Sequence, residues 1–166
     1  VNVYAFVDEK GNLDERGLLR AQRLSARAAY RMTCVELELS QWDRVQQRDK
    51  LTGCSLTGWQ DMVNAVGLDR NQQAALLRKL RDAANSEAER YAAEIGEKAP
   101  LLVTTIKPEG TLSQLPGVSS GVHYSHAPYF LRRIRINSHD PLVKVCEELD
   151  YPIYPEVGQD IKTCTT

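Results

Sequence analysis

The chain has 166 residues, with 21 Lys+Arg against 22 Asp+Glu and a formal charge of −1. Its 42% hydrophobic and 26% charged content excludes disorder, a collagen-like repeat and a coiled coil as the main architecture. The near-neutral balance excludes attachment to nucleic acid by bulk charge. A chain of this length can bury a real core, roughly two thirds of the surface of its unfolded form. Residue 1 is Val rather than Met, which reads as a start inside a larger reading frame or after processing.

Val1 to Val7 is apolar but lacks the basic start and small-residue cleavage site of a signal peptide. Asp14 is placed to cap a helix running to about Met32, with Leu18, Ala21, Leu24 or Ser25, Ala28 and Met32 recurring at helical spacing. Arg20, Arg23 and Arg27 between them read as a solvated face. Trp42 to Lys50 is a polar helical stretch with Trp42 and Val45 on the expected inner side. Gly53 to Gly58 reads as a short strand or turn bracketed by glycines. Asp69 with Gln72 three residues on forms a capping box for the clearest helix of the chain. Its stripe is Leu76, Leu80, Ala84, Ala88, Tyr91 or Ala92, and Ile95, and Gly96 supplies the stop.

All seven prolines lie at or after Pro100, and all three histidines fall between His123 and His139. The chain therefore divides by composition into a helical portion, 1–99, and a strand- and loop-rich portion, 100–166, within a single unit. Leu101 to Ile106 is an apolar, β-branched run between two prolines, the pattern of a buried parallel strand. Tyr129 to Ile136 is a second strand candidate, with Phe130, Leu131, Ile134 and Ile136 as its apolar residues. Asp140-Pro141 opens a helix with cap and first-turn proline in preferred places, and Leu142, Val145, Cys146 and Leu149 are expected to face inward. Tyr151 to Tyr154 is a candidate final strand. Helices and short strands in this order predict α/β construction.

Chemistry concentrates in the loop after the Leu101 strand, Lys107-Pro108-Glu109-Gly110-Thr111-Leu112-Ser113 and on to Gly121. α/β folds place ligands at the carboxyl ends of buried strands. Glycines let backbone N–H groups approach an anion, and hydroxyls add donors, so phosphate is the natural ligand. No Gly-Lys-Ser/Thr follows, so this is not a Walker A loop. A plain surface turn, its Ser and Thr bonded to their own backbone, is the competing reading. Between Lys107 and His139 the charges are Lys107, Arg132, Arg133 and Arg135 against Glu109, a local excess of +3. Such a basic region suits a phosphate loop, and it equally suits a half-exposed strand whose arginines pair with carboxylates. His123 and His126 lack a third ligand at useful spacing, so no metal is expected. Cys34, Cys54, Cys146 and Cys164 form no Cys-x-x-Cys pair and read as buried or free thiols of a reducing cytoplasm. No stretch reads as a membrane span.

Thr104 to Ser113, Gly117 to His123 and Tyr129 to Arg135, with Gly53 to Gly58 and Arg23 to Arg27 upstream, resemble the adenosylcobalamin-dependent (class II) ribonucleotide reductases. The matches are ordered and run over roughly residues 1 to 155. The resemblance implies the carboxyl-terminal part of the reductase α/β barrel, helix-rich first and strand- and loop-rich after. It implies reduction of ribonucleotides to deoxyribonucleotides by thiyl radical chemistry, with the cofactor supplying the radical. It implies Pro108, Gly110, Thr111, Leu112 and Ser113 as substrate phosphate-binding positions, with Lys107, Arg133 and Arg135 as electrostatic support. Partners so implied are the ribonucleotide, the remainder of the barrel and an external dithiol reductant, with no membrane and no nucleic acid.

The family's radical cysteine sits in an Asn-Pro-Cys-x-Glu type motif, which is absent here, and family order places it upstream of Val1. No catalytic role therefore falls on any cysteine of this chain, and the chain alone is expected to be inactive. Glu109 stands where many relatives carry a small residue, and Lys162 to Thr166 match no family motif. Competing readings are a class I reductase large-subunit segment, a nucleotide- or RNA-binding module using Arg132 to Arg135 with Tyr124, Tyr129 and Phe130 to stack bases, and one half of a split enzyme.

Overall fold

The computed structural model of the chain describes residues 1–124, 127, 129, 131 and 133–159. It forms two compact units, Val1–His126 and Ala127–Thr166. The first holds four helices: α1 (Glu15–Met32), α2 (Ser40–Asp49), α3 (Trp59–Val66) and α4 (Arg70–Glu94). The second holds α5 (Pro141–Glu148).

Local sequence sets the helix ends. Asp14 caps α1 by accepting from Gly17 N at 2.9 Å. Asp69 accepts from Asn71 N and Gln72 N, while the Gln72 side chain returns to Asp69 N at 2.9 Å, completing the capping box of α4. Gly96, at φ +72°, closes that helix in the left-handed region. Asp140 accepts from Leu142 N at 2.9 Å with Pro141 in the first turn of α5.

α1 packs along α4, and the two run parallel. Glu15 meets Lys79 at the start, and Arg27 meets Glu87 and Glu94 toward the end. Leu76, Leu80, Ala84, Ala88 and Ala92 are buried on α4, the stripe expected from spacing. Against them α1 buries Leu18, Gln22, Ala26 and Tyr30. Of the stripe expected for α1 only Leu18 is buried, since Leu24, Ala28 and Met32 are exposed, Met32 at 73%. The helix carries two apolar faces, and the core took the one bearing Tyr30. Its hydroxyl donates to the Lys98 carbonyl and its ring meets Tyr91 edge-on at 6.2 Å. Val3, Leu18, Trp59, Met62, Val63, Leu76 and Leu80 form the main core cluster.

Among the described residues no ladder is long enough to count as a strand. Three isolated bridges stand in their place: Asn2 with Thr57 and Cys54 with Thr104, both parallel, and Val7 with Leu13, antiparallel. Cys54 N donates to Val103 O at 2.8 Å and Thr105 N to Cys54 O at 3.1 Å. Val3 N donates to Thr57 O and Thr57 N to Val1 O, each at 2.9 Å. Extended segments at 1–3, 52–57 and 102–105 thus pair in parallel, with α1 and α2 between the first two and α3 and α4 between the last two. Parallel pairing across helical connections is the arrangement an α/β protein uses, but among the described residues it stops at single bridges, so the α/β barrel expected from the sequence is not seen as a sheet.

Several expectations are corrected. Trp42 and Val45 face outward, at 65% and 47% exposure, because no described element covers that side of α2. Leu142 and Val145 of α5 and Leu149 just after it are likewise exposed, since a unit this small cannot bury every apolar face. Tyr151 to Tyr154 forms no bridge and is exposed. The strand expected over Tyr129 to Ile136 falls partly outside the described residues, which omit Phe130 and Arg132, and its described remainder forms no bridge. Cys164 and Lys162 to Thr166 lie outside them too. No helix among the described residues is long and apolar enough to cross a membrane.

Candidate functional site: the 107–121 loop

The loop leaves the 102–105 segment as two limbs. The outgoing limb runs from Lys107 into a 3₁₀ turn at Leu112–Gln114, and the return limb brings Val118 to Gly121 back beside it. Ser113 is completely buried at the turn. Its N–H donates to Glu109 O at 3.1 Å, its carbonyl accepts from Val118 N at 3.0 Å, and its hydroxyl lies 3.1 Å from that of Ser120. Gln114 N donates to Thr111 O and Leu115 N to Leu112 O.

Gly121 closes the loop. At φ +55°, a Cβ added there would lie 2.5 Å from the Lys107 carbonyl oxygen and 3.4 Å from that of Pro108. Only glycine allows the two limbs to approach so closely. Glu109 also has positive φ, +52°, without being glycine, a conformation costly for an ordinary side chain.

The expected phosphate positions therefore divide by environment. Pro108, Thr111 and Leu112 are exposed and Gly110 is half-buried. Ser113 already commits its N–H and its hydroxyl within the loop. Lys107 is exposed, and its N–H reaches Ser55 Oγ at 3.4 Å. Arg133 and Arg135 belong to the second unit, where Arg135 pairs with Glu156 at 2.9 Å. Arg132 and His126 lie outside the described residues.

Beside the loop a groove of about 600 Å³ is lined by Ala28 and Met32 of α1, by Cys54, and by Lys107, Glu109 and Leu112. Burial pushes the Cys54 thiol above its ordinary range, against a hydrogen bond with Ser25 and the nearby Lys107 charge that pull it down. A thiol held protonated in this way is a weak nucleophile. Cys34, Cys54 and Cys146 form no disulfide. Among the described residues no cluster of three His, Cys, Asp or Glu could hold a metal ion.

Two residues that sequence reasoning passed over anchor the return limb. Thr57 Oγ1 donates to Ser119 O at 3.1 Å and accepts from Gly121 N at 3.2 Å. Asp61 Oδ2 accepts from Ser119 N at 2.6 Å. Thr57 ends the extended segment before α3 and Asp61 stands in the first turn of α3, which also went unread. Its signal was present in Trp59, Met62, Val63 and Val66, spaced as one helical face.

Comparison with known proteins gives these arrangements a context. No family model matches the chain. It is 30% identical over 146 residues to a putative adenosylcobalamin-dependent ribonucleoside-triphosphate reductase of Mycobacterium phage D29, covering 84% of this chain and 21% of that protein. It is 26% identical over 178 aligned positions to the adenosylcobalamin-dependent ribonucleoside-triphosphate reductase of Lactobacillus helveticus, covering 93% of this chain and 24% of that one. A crystal structure of B12-dependent (class II) ribonucleotide reductase superposes with a TM-score of 0.70 at 22% identity, over 86% of this chain and 23% of the other. The chain thus spans between a fifth and a quarter of the length of these relatives, and the superposition extends the likeness to the fold. It is a relative of one segment of the adenosylcobalamin-dependent (class II) ribonucleotide reductases.

Proposed function

We propose that this chain is a segment of the catalytic barrel of an adenosylcobalamin-dependent ribonucleotide reductase, and that its 107–121 loop holds the phosphates of the ribonucleotide substrate. The parent enzyme is an oxidoreductase that replaces the ribose 2′-hydroxyl by hydrogen. It works with an external dithiol, in the cytoplasm.

The observation that carries this reading is the loop itself. A glycine-dependent closure presents the exposed Thr111 and Leu112 backbone beside Lys107, at the end of a parallel-paired segment, in a chain related to these reductases. Exposed N–H groups and a hydroxyl at such a point suit a phosphate better than an apolar ligand. Thr111 supplies the hydroxyl. Ser113 supports the turn rather than the anion, since its polar groups are already engaged. When bound in the parent enzyme, adenosylcobalamin supplies the radical. Among the described residues no donor set for the corrin stands out, and the proposal assigns this chain none of its contacts.

Two measurements test the reading. The purified chain should give no deoxyribonucleotide in a reductase assay with adenosylcobalamin and a dithiol, because the radical cysteine motif lies outside it, and turnover would overturn that claim. Ribonucleotide added to the labelled chain should shift amide resonances of 107–113, and Thr111→Ala should abolish those shifts. Unaltered shifts in the variant would place the nucleotide elsewhere.

A further inference from the structure

We infer that Thr57 and Asp61 are positioning residues for the loop: they fix its return limb and, through that limb, the backbone offered to phosphate. The inference rests on the phosphate-loop reading above and adds the part of the molecule that sets the loop's geometry.

Thr57 is 4% exposed and its hydroxyl is engaged both as donor and as acceptor. It donates to Ser119 O and accepts from Gly121 N, so one side chain spans the peptides on either side of Ser120. Its own backbone is held on both sides, by Val1 O and Val3 N, so the hydroxyl stands on a fixed support. Asp61 accepts from the Ser119 N–H at 2.6 Å, a charge-assisted bond, while the Ser119 hydroxyl is buried with no hydrogen-bond partner. A carboxylate in the first turn of α3 is favoured there by the helix dipole. Gly58 N adds a second donor to Ser119 O at 2.9 Å, and Trp59 N reaches Gly121 O at 3.3 Å.

The return limb cannot shift without moving the outgoing one. Gly121 is packed backbone to backbone against Lys107 and Pro108. Ser120 and Ser113 meet through their hydroxyls, and Val118 N bonds Ser113 O. Displacing Ser119 to Gly121 therefore displaces Lys107 and the 109–113 turn. The order of the path is Thr57 and Asp61, then Ser119 and Gly121, then Lys107 and Ser113.

The test uses the whole 166-residue chain and equilibrium dialysis with cytidine triphosphate and with unphosphorylated cytidine. Thr57→Val keeps the shape and removes both bonds, leaving Gly121 N–H and one acceptor position of Ser119 O unmatched. Cytidine triphosphate affinity should fall about tenfold, the size expected for losing buried hydrogen bonds at a binding backbone. Cytidine affinity should not change, and Thr57→Ser should restore the triphosphate. Asp61→Ala should repeat the pattern, and it carries the test if Thr57→Val does not fold. The inference is overturned if both ligands weaken together in the variants, or if triphosphate binding is unmoved while Thr111→Ala weakens it. If Thr111→Ala also leaves triphosphate binding intact, the phosphate-loop reading falls with it.

Discussion

Glu109 is the residue most at odds with its surroundings. Its backbone occupies the left-handed region at φ +52°, and its side chain lines the groove alongside Lys107. On the proposed reading a carboxylate then stands near bound phosphate, and like charges several ångströms apart at a solvated surface cost a fraction of a kcal/mol to about 1 kcal/mol. Glu109→Gln should accordingly tighten ribonucleotide binding by about threefold at low salt, with the gain shrinking as ionic strength rises to the physiological value, where the Debye length has fallen to about 8 Å. Titration of parent and variant at two salt concentrations checks this. Equal affinities at low salt would mean that Glu109 points away from the ligand. The family resemblance flagged this position, because many relatives carry a small residue there and an acid beside phosphate is unfavourable. The sequence did not reveal Thr57 or Asp61, because their role depends on a segment about sixty positions away folding back onto them, and no local spacing encodes that.

At the scale of elements, legibility followed the capping chemistry and failed on faces. Asp14, Asp69 and Asp140 located three helix starts, because a cap is satisfied within three residues of itself. The buried face of α1 was misread because two apolar faces compete on that helix. What decided between them was the long-range contact of Tyr30 with Lys98 and Tyr91. The α1–α4 seam also carries a charged edge that sequence spacing alone did not single out. Glu87 is nearly buried and takes bonds from Arg90 at 2.6 and 3.1 Å, with Arg27 3.6 Å away and stacked over Tyr91 at 4.3 Å from the ring centroid. The Arg90 hydrogen bonds, opposed by burial and aided by the charges of Arg90, Arg27 and Arg23, hold the Glu87 carboxyl below the usual range. A group with a depressed folded value stabilises the fold above its unfolded pKa of about 4.3 and loses that contribution as pH falls through the folded value. The stability gap between parent and Glu87→Gln should therefore be constant from pH 7 to pH 5 and shrink below about pH 4. Urea unfolding at pH 7, 5 and 3 measures it, and a gap that persists undiminished at pH 3 would remove Glu87 from the account.

At the scale of the molecule, the surface left uncovered is as informative as the core. Met32 is 73% exposed and Trp42 65%, with Leu101, Leu102 and Ile106 exposed as well. Leu37, Trp42, Val45 and Leu51 line an apolar groove beside α2. The second face of α1, the one its sequence offered as a core stripe, is exposed at Leu24, Ala28 and Met32. Grooves lined by several exposed apolar side chains mark surfaces that partners commonly cover. The extended segments repeat the theme, since 1–3, 52–57 and 102–105 pair in parallel through single bridges, and parallel segments are normally buried within a wider sheet. Relatives four to five times as long carry sequence beyond this chain's span, and on the proposed reading that remainder covers these faces. The chain by itself should then self-associate, with an apparent mass in sedimentation that rises with concentration. Trp42→Ser should reduce that association while leaving the α1–α4 core, and hence the helical circular dichroism, unchanged. A chain that stays monomeric at high concentration would show that these faces are stable in water, and it would weaken the proposal that a larger barrel closes over them.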